Sequence, residues 1–384
     1  MYEQIKDIRV KNREPFRWIA AAVILCAVLP GAQPKAAGRK GAPAATRKAP
    51  PPALVWPLPP DPPRVRWLAQ YTDMAKIDGV PEKKRGWLEK VTGTKTPDEK
   101  LELRKPYGIT TDSRGRIYAA DTELKVVFVI DPVAKVVQRR QGGTRAPMAM
   151  PAGVAIGSGD RLFVSDAQLH AITCFSPTGE LIARFGAESL GRPGGLAIDQ
   201  RRNRLYVADA KESRIAVFDT NTFKLAGRYG APGKPGNSGN GTFASPTNVA
   251  VDRQGNIYVA DTLNCRVQVL NPSGQFLRAF GAQGDRPGEF IRPKGIAVDS
   301  EGHVYIADAE FNNFQVFSPD GKPLLAVGVL GSAAGEFALI AGLYIDSQDR
   351  IYTSEMYIGR IQVFQYIPQP TSADRKGVIR AGDQ

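Results

Sequence analysis

The sequence predicts an all-β fold, a six-bladed β-propeller of four-stranded blades whose ring is closed by an N-terminal strand. Three observations predict it. One pattern recurs six times between Pro106 and Ile367, seen best as "PTNVAVDRQGNIYVADTLNCRVQVLNPSGQFLRAFG" from Pro246 to Gly281 and again as "PKGIAVDSEGHVYIADAEFNNFQVFSPDGKPLLAVG" from Pro293. Aligned on the acidic residue after the "YVA"-like triplet, the copies give Asp121, Asp166, Asp209, Asp261, Asp308 and Glu355, spaced by 45, 43, 52, 47 and 47 residues. Each unit holds four short apolar runs separated by Gly, Pro and Asp turns, and units of that period bury a core by stacking on one another.

The N-terminus has its own signature. Lys6, Arg9, Lys11, Arg13 and Arg17 precede the apolar run Trp18 to Leu29, which ends at Pro30. A run of that length after a basic stretch is expected of a signal peptide or signal anchor over residues 1–29, because a full span needs about 20 apolar residues. Lipidation at Cys26 is not expected, since Leu25 stands where a lipobox needs a small residue. The expectation is an exported chain, periplasmic or in the cell envelope, cleaved or held in the membrane by residues 18–29. Of the net charge of +13, +7 lies within residues 1–50. A nucleic-acid surface would be a basic patch on the folded domain, so nucleic acid is not an expected partner.

Residues 30–63 contain eleven prolines and read as an extended Pro/Ala-rich linker. The next stretch, "RVRWLAQYTD" (64–73), alternates as a strand does. Blade 6 supplies only "AGLYID", "RIYTSE" and "RIQVFQYI" before Pro368, whereas other blades have a fourth segment such as "QFLRAFG". Val65 to Tyr71 is therefore the expected donor of the missing outer strand, which removes an exposed sheet edge. The charged insertion 74–105 includes "EKKRGWLEKV" (82–91), an expected short amphipathic helix with Trp87, Leu88 and Val91 on one side. The propeller is thus expected over 64–367, with a polar tail over 368–384.

Units of the form "P-x-G-I-A-V-D-x-x-G-x-I-Y-V-A-D" followed by "R-I-Q-V-F" resemble NHL repeats. Arg214, Arg266 and Arg360 match that family's Arg five residues after the acid, and Val126, Ala171 and Asn313 depart from it. The Pro-rich lead-in and extra strand look like exported bacterial members. The resemblance implies a six-bladed ring acting as a non-catalytic binding or scaffold module. Related six-bladed rings include lyases and lactonase-type hydrolases, so a calcium-dependent enzyme of that kind is the competing expectation.

The six recurring acids invite a metal reading, but a side-chain oxygen after strand b can bond the backbone N–H groups of the b–c turn. Repetition in every blade suits a turn device, so no metal, cofactor or catalytic residue is expected there. Gly108, Gly153, Gly195 and Gly295 are read as relief of crowding near the axis. His170 and His303 are the only histidines and fall on opposite faces, too few for a His-based zinc site. Of the residues opening the inner strands, only Asn248 offers a calcium-type oxygen, opposite Tyr107, Ala152, Gly194, Lys294 and Ala341. Cys174 and Cys265 lie two blades apart, too far for a disulfide.

Binding is the better-supported chemistry. In a propeller the d–a and b–c loops share one face, where loops vary on a rigid frame. Across the ring closure, blades 5, 6 and 1 bring Phe311, Tyr357 and Tyr107 beside Glu310, Asn312 and Lys294. Aromatic anchors ringed by polar groups suit a protein or small-ligand partner. The Gly- and Pro-rich loop from Gly230 to Ser245 is the longest on that face.

Overall fold

The computed structural model describes residues 53–72, 102–236 and 239–368. The segments 1–29 and 82–91 and nearly all of the tail 368–384 lie outside the described residues. Six antiparallel sheets form the ring. Blade 4 is representative, with strands a (Pro246–Val251), b (Ile257–Asp261), c (Arg266–Leu270) and d (Phe276–Phe280). Blades 1, 2, 3 and 5 repeat this order over 106–140, 151–185, 193–229 and 293–327. Two short 3₁₀ turns are the only helical elements among the described residues that exceed a simple turn, and no helix there is long and apolar enough to cross a membrane.

The apolar triplets become strand b because both faces of that strand are covered. In blade 4, Tyr258 and Ala260 point into the cluster shared with blade 5, while Ile257 and Val259 point into the cluster shared with blade 3. Alternation by two thus feeds two cores at once, which is why the run is apolar throughout. Each of the six clusters joins two neighbouring blades, and the last joins Tyr352, Ile361 and Val363 of blade 6 to Leu103, Ile109 and Phe128 of blade 1. Strand d alternates between half-buried and exposed positions, as an outer strand should.

Blade 6 takes its inner strands from Ile340–Ile345, Arg350–Glu355 and Arg360–Tyr366, and its fourth from Val65–Tyr71. The fourth pairs antiparallel with the third, from Val65 against Tyr366 to Tyr71 against Ile361. Trp67 Nε1 donates to Gln362 Oε1 across this seam at 3.0 Å.

One boundary differs from the sequence expectation. The stretch read as linker to residue 63 enters the sheet earlier, because Val55–Trp56 pairs with Val65 and Arg66 as a fifth strand. Trp56 has an aromatic partner there, meeting Phe364 edge-on at 5.8 Å and lying over Gly335. Burial of that indole outweighs the surrounding prolines, which sit outside the ladder.

Candidate binding face

The recurring acids are buried and engaged in hydrogen bonds at the end of strand b. Asp121 Oδ2 accepts from the backbone N–H groups of Arg104 and Lys105, and Oδ1 from those of Glu123 and Leu124. Asp166 does the same with Ala149, Met150, Gln168 and Leu169, and Asp308 with Ile291, Arg292, Glu310 and Phe311. Asp209 accepts from Gly191, Arg192 and Glu212. Each carboxylate therefore fastens the b–c turn to the loop that leads into its own blade. Asp261 accepts from the backbone of Ala244 and pairs with Arg266 at 2.9 Å; Glu355 accepts from Ala338 and pairs with Arg360 at 2.7 Å.

Four residues after each acid, the backbone is left-handed at Lys125, His170, Ser213, Cys265, Asn312 and Gly359. Four of these side chains reach the next blade. His170 Nδ1 is bonded to Gly191 O, Ser213 Oγ accepts from Ser245 N–H, Cys265 Sγ donates to Ile291 O, and Asn312 Oδ1 accepts from Leu339 N–H. Gly359 packs so tightly that a Cβ there would lie 2.2 Å from Leu103 O. Asn312 therefore ties blade 5 to blade 6, with Nδ2 donating to Glu310 O at 3.1 Å.

The opposite face carries a second set of acids, not singled out from the sequence, which closes "AVD" in blades 4 and 5, "TTD" in blade 1 and "YID" in blade 6. Asp112, Asp252, Asp299 and Asp346 close the a–b turns and accept from the phenols of Tyr118, Tyr258, Tyr305 and Tyr352, each at 3.1 Å. Burial pushes the Tyr118 phenol up to about 12, with Asp112 adding to the shift. A third partner completes each set: Arg116, Asn256, His303 and Arg350. Blade 2 lacks the device, having Gly157 and Phe163 in those positions, and a Cβ on Gly157 would press on the Phe163 ring. Beside that gap lies a cavity of about 590 Å³ lined by Arg114, Ser158, Gln200, Tyr344 and Arg350. Gln200, Tyr344 and Ile156 also line the central channel, a space of about 260 Å³ that runs from there towards Tyr107.

Of the residues singled out for binding, Tyr107 and Lys294 come together at the channel mouth. The Lys294 ammonium sits 5.4 Å from the centroid of the Tyr107 ring. Burial pushes the phenol up to about 12, opposed by the charge of Arg192. Burial also lowers the Lys294 pKa, reinforced by Arg292 and Arg192. Asn248 does not share their position: counted from the proline that opens strand a, Thr247 matches Tyr107 and Asn248 falls in the glycine position, its Oδ1 accepting from Val249 N–H. Glu310 pairs with Arg292 at 3.3 Å on the surface. Phe311 is half-buried in its turn, and Tyr357 is 80% exposed. Among the described residues, Leu263, Ile291, Val329 and Leu330 are the other exposed large apolar residues of this face, all on blades 4 and 5 or the loops that join blades 4 to 6. Cys174 and Cys265 are free and buried.

Residues 242–312 match the family DUF5128, described as a 6-bladed beta-propeller. Over 87 residues the chain is 39% identical to NHL repeat-containing protein 2 of Bos taurus; the match spans 21% of this chain and 12% of that relative. Among solved structures, a protein of unknown function from Bacteroides thetaiotaomicron aligns with TM-score 0.57 at 17% identity, covering 68% of this chain and 70% of the other. Virginiamycin B lyase from Staphylococcus aureus aligns with TM-score 0.51 at 14% identity, covering 68% and 95%. At such identities the structural likeness concerns the fold alone. The repeats and the ring make the chain a six-bladed β-propeller, and over the matched residues its units are similar to those of an NHL repeat-containing protein.

Proposed function

We propose that this propeller is a non-catalytic binding or scaffold module that recognises a protein partner through the face formed by its b–c and d–a loops. One observation carries the reading. Among the described residues, the exposed large apolar residues of that face, Leu263, Ile291, Val329, Leu330 and Tyr357, all fall on blades 4, 5 and 6 or the loops between them. Apolar residues gathered on one side of a rigid face, with charged neighbours such as Glu310 and Arg292, suit a partner surface. A calcium-dependent lyase or lactonase reading has less support, because the mouth presents Lys294, with Arg192 and Arg292 near it, where a cation would have to sit. The basic-then-apolar N-terminus supports an exported chain with the propeller on the outer side. Capture of the native partner by the immobilised chain, compared with Phe311→Ala/Tyr357→Ala, tests the recognition face. A reporter active only outside the cytoplasm, fused after Gln384, tests the location: activity agrees with export and silence refutes it.

A further inference from the structure

At the mouth of the central channel, three large side chains come from alternate blades. Tyr107 is the second residue of strand a in blade 1 (Pro106–Thr111), and Lys294 holds the same place in blade 5 (Pro293–Val298). Arg192 lies just before strand a of blade 3 (Pro193–Asp199). The corresponding strand-a positions in blades 2, 3, 4 and 6 hold Ala152, Gly194, Thr247 and Ala341. Lys294 reaches the ring of Tyr107 at 5.4 Å across blade 6, whose own residue at this position is the small Ala341.

The charges are one-sided. Arg292 has Glu310 as a partner, but among the described residues no carboxylate lies within ion-pair distance of Lys294 or Arg192. Lys294 is half-buried, and the charges of Arg192 and Arg292, both of its own sign, act on it, that of Arg292 being offset by Glu310. A partly desolvated ammonium whose nearest described neighbour is an aromatic ring is unfavourable unless something negative joins it. The Tyr107 ring face supplies only weak compensation.

We propose that this mouth is an anion site that takes a carboxylate, with Lys294 and Arg192 as the charged donors and Tyr107 as its floor. The inference rests on the loop-face reading for its partner, since an acidic side chain of a protein docked on blades 4 to 6 would meet the mouth beside it. A free small carboxylate offers the same chemistry.

The test uses the full chain at low ionic strength and an amidated hexaglutamate peptide as the probe, read by calorimetry. Saturable binding is expected, weakened about tenfold or more by Lys294→Met and less by Arg192→Ala, in line with loss of a charge-assisted contact. Lys322→Met, which removes a surface lysine paired with Asp320, should bind as the wild type does. Because Lys294 has no carboxylate partner among the described residues, Lys294→Met should melt at or above the wild-type temperature; if it fails to fold, Lys294→Gln and Arg192→Ala carry the comparison. Competition by acetate would assign the site to any free carboxylate, and failure to compete would assign it to an acidic peptide. Equal binding by wild type and folded Lys294 variants, or equal binding of hexaglutamine, overturns the proposal. Binding of hexaglutamate that depends on Lys294 while Phe311→Ala/Tyr357→Ala still captures the native partner would leave the anion site standing and remove the loop-face reading.

Discussion

Arg360 closes on Glu355 through two hydrogen bonds, Nε to Oε1 at 2.7 Å and Nη2 to Oε2 at 2.8 Å, in a pair of which neither side chain is more than 1% exposed. The same guanidinium donates to the carbonyls of Ser332, Ala333 and Glu336 and reaches Gln70 Oε1 of the closing strand at 3.3 Å. Gln362 Nε2 adds a bond to Glu355 Oε1, and its own Oε1 receives Trp67. Blade 6 is thus locked to the N-terminal strand by a satisfied buried polar network.

Removing one member of such a pair strands a charge in the core. Arg360→Ala is expected to cost about 3–5 kcal/mol of unfolding free energy. Arg214 is the equivalent residue of blade 3, but it is 3.6 Å from Glu212 and partly exposed, so Arg214→Ala should cost less than about 1 kcal/mol. Chemical denaturation of the two variants checks both numbers, and similar losses would show that burial does not set the difference.

The closing strand invites a truncation series. A chain begun at residue 53 should melt in one cooperative transition. Begun at residue 64, it loses Trp56 and its contact with Phe364, at a cost of about 2 kcal/mol for a half-buried aromatic. Begun at residue 73, it exposes the edge of Arg360–Tyr366 and should aggregate or melt far lower. Equal melting temperatures for the last two would mean that Val65–Tyr71 does not hold the ring shut.

His303 gives the fold a pH dependence whose sign follows from its partners. The hydrogen bond from Nδ1 to Asp299 Oδ2 at 2.9 Å raises its pKa above 6.5 against the effect of burial; Asp299 and Glu301 add to the rise and Arg64 opposes it. A raised folded pKa means stabilisation that is fully present below pH 6.5 and lost as pH climbs through the folded value. In blade 4, Asn256 Nδ2 makes the corresponding bond to Asp252 at 2.8 Å without titrating. His303→Asn should therefore keep the turn and lose this part of the pH dependence. Melting curves across that range should show wild type falling relative to the variant as pH rises; parallel curves would contradict the assignment.

Much of the fold was legible because strand b is buried on both faces in all six blades, which writes an apolar triplet before the acid in blades 1, 3, 4 and 5, with Ser165 of blade 2 and Thr353 and Ser354 of blade 6 as buried polar exceptions. The turn acids were legible for a related reason: their partners lie within a few residues or one loop away, inside the repeat. Trp56 was not, since the partners that recruit it into the sheet, Phe364 and Gly335, are some three hundred residues distant in sequence and prolines surround it. The place of Asn248 was legible too, since one residue after the opening proline stand Tyr107, Lys294 and Thr247, and Asn248 falls where the other strands have glycine. Tyr107 and Lys294 could be named from their loops, but their contact spans blade 6, a property of the ring and not of either repeat.

The central claim, recognition through the loop face of blades 4 to 6 and the adjoining mouth, is tested most directly by the affinity of the native partner for Phe311→Ala/Tyr357→Ala. Tyr357 is 80% exposed and Phe311 half-buried, on turns held by Glu355 and Asp308 through backbone contacts that the substitutions leave in place. Truncating an aromatic anchor costs about 2 kcal/mol or more, roughly thirty-fold in affinity. The account predicts at least that loss with an unchanged melting temperature, while Val133→Ala, an exposed residue of the opposite face, binds as the wild type does. A folded double variant that binds its partner undiminished would contradict it.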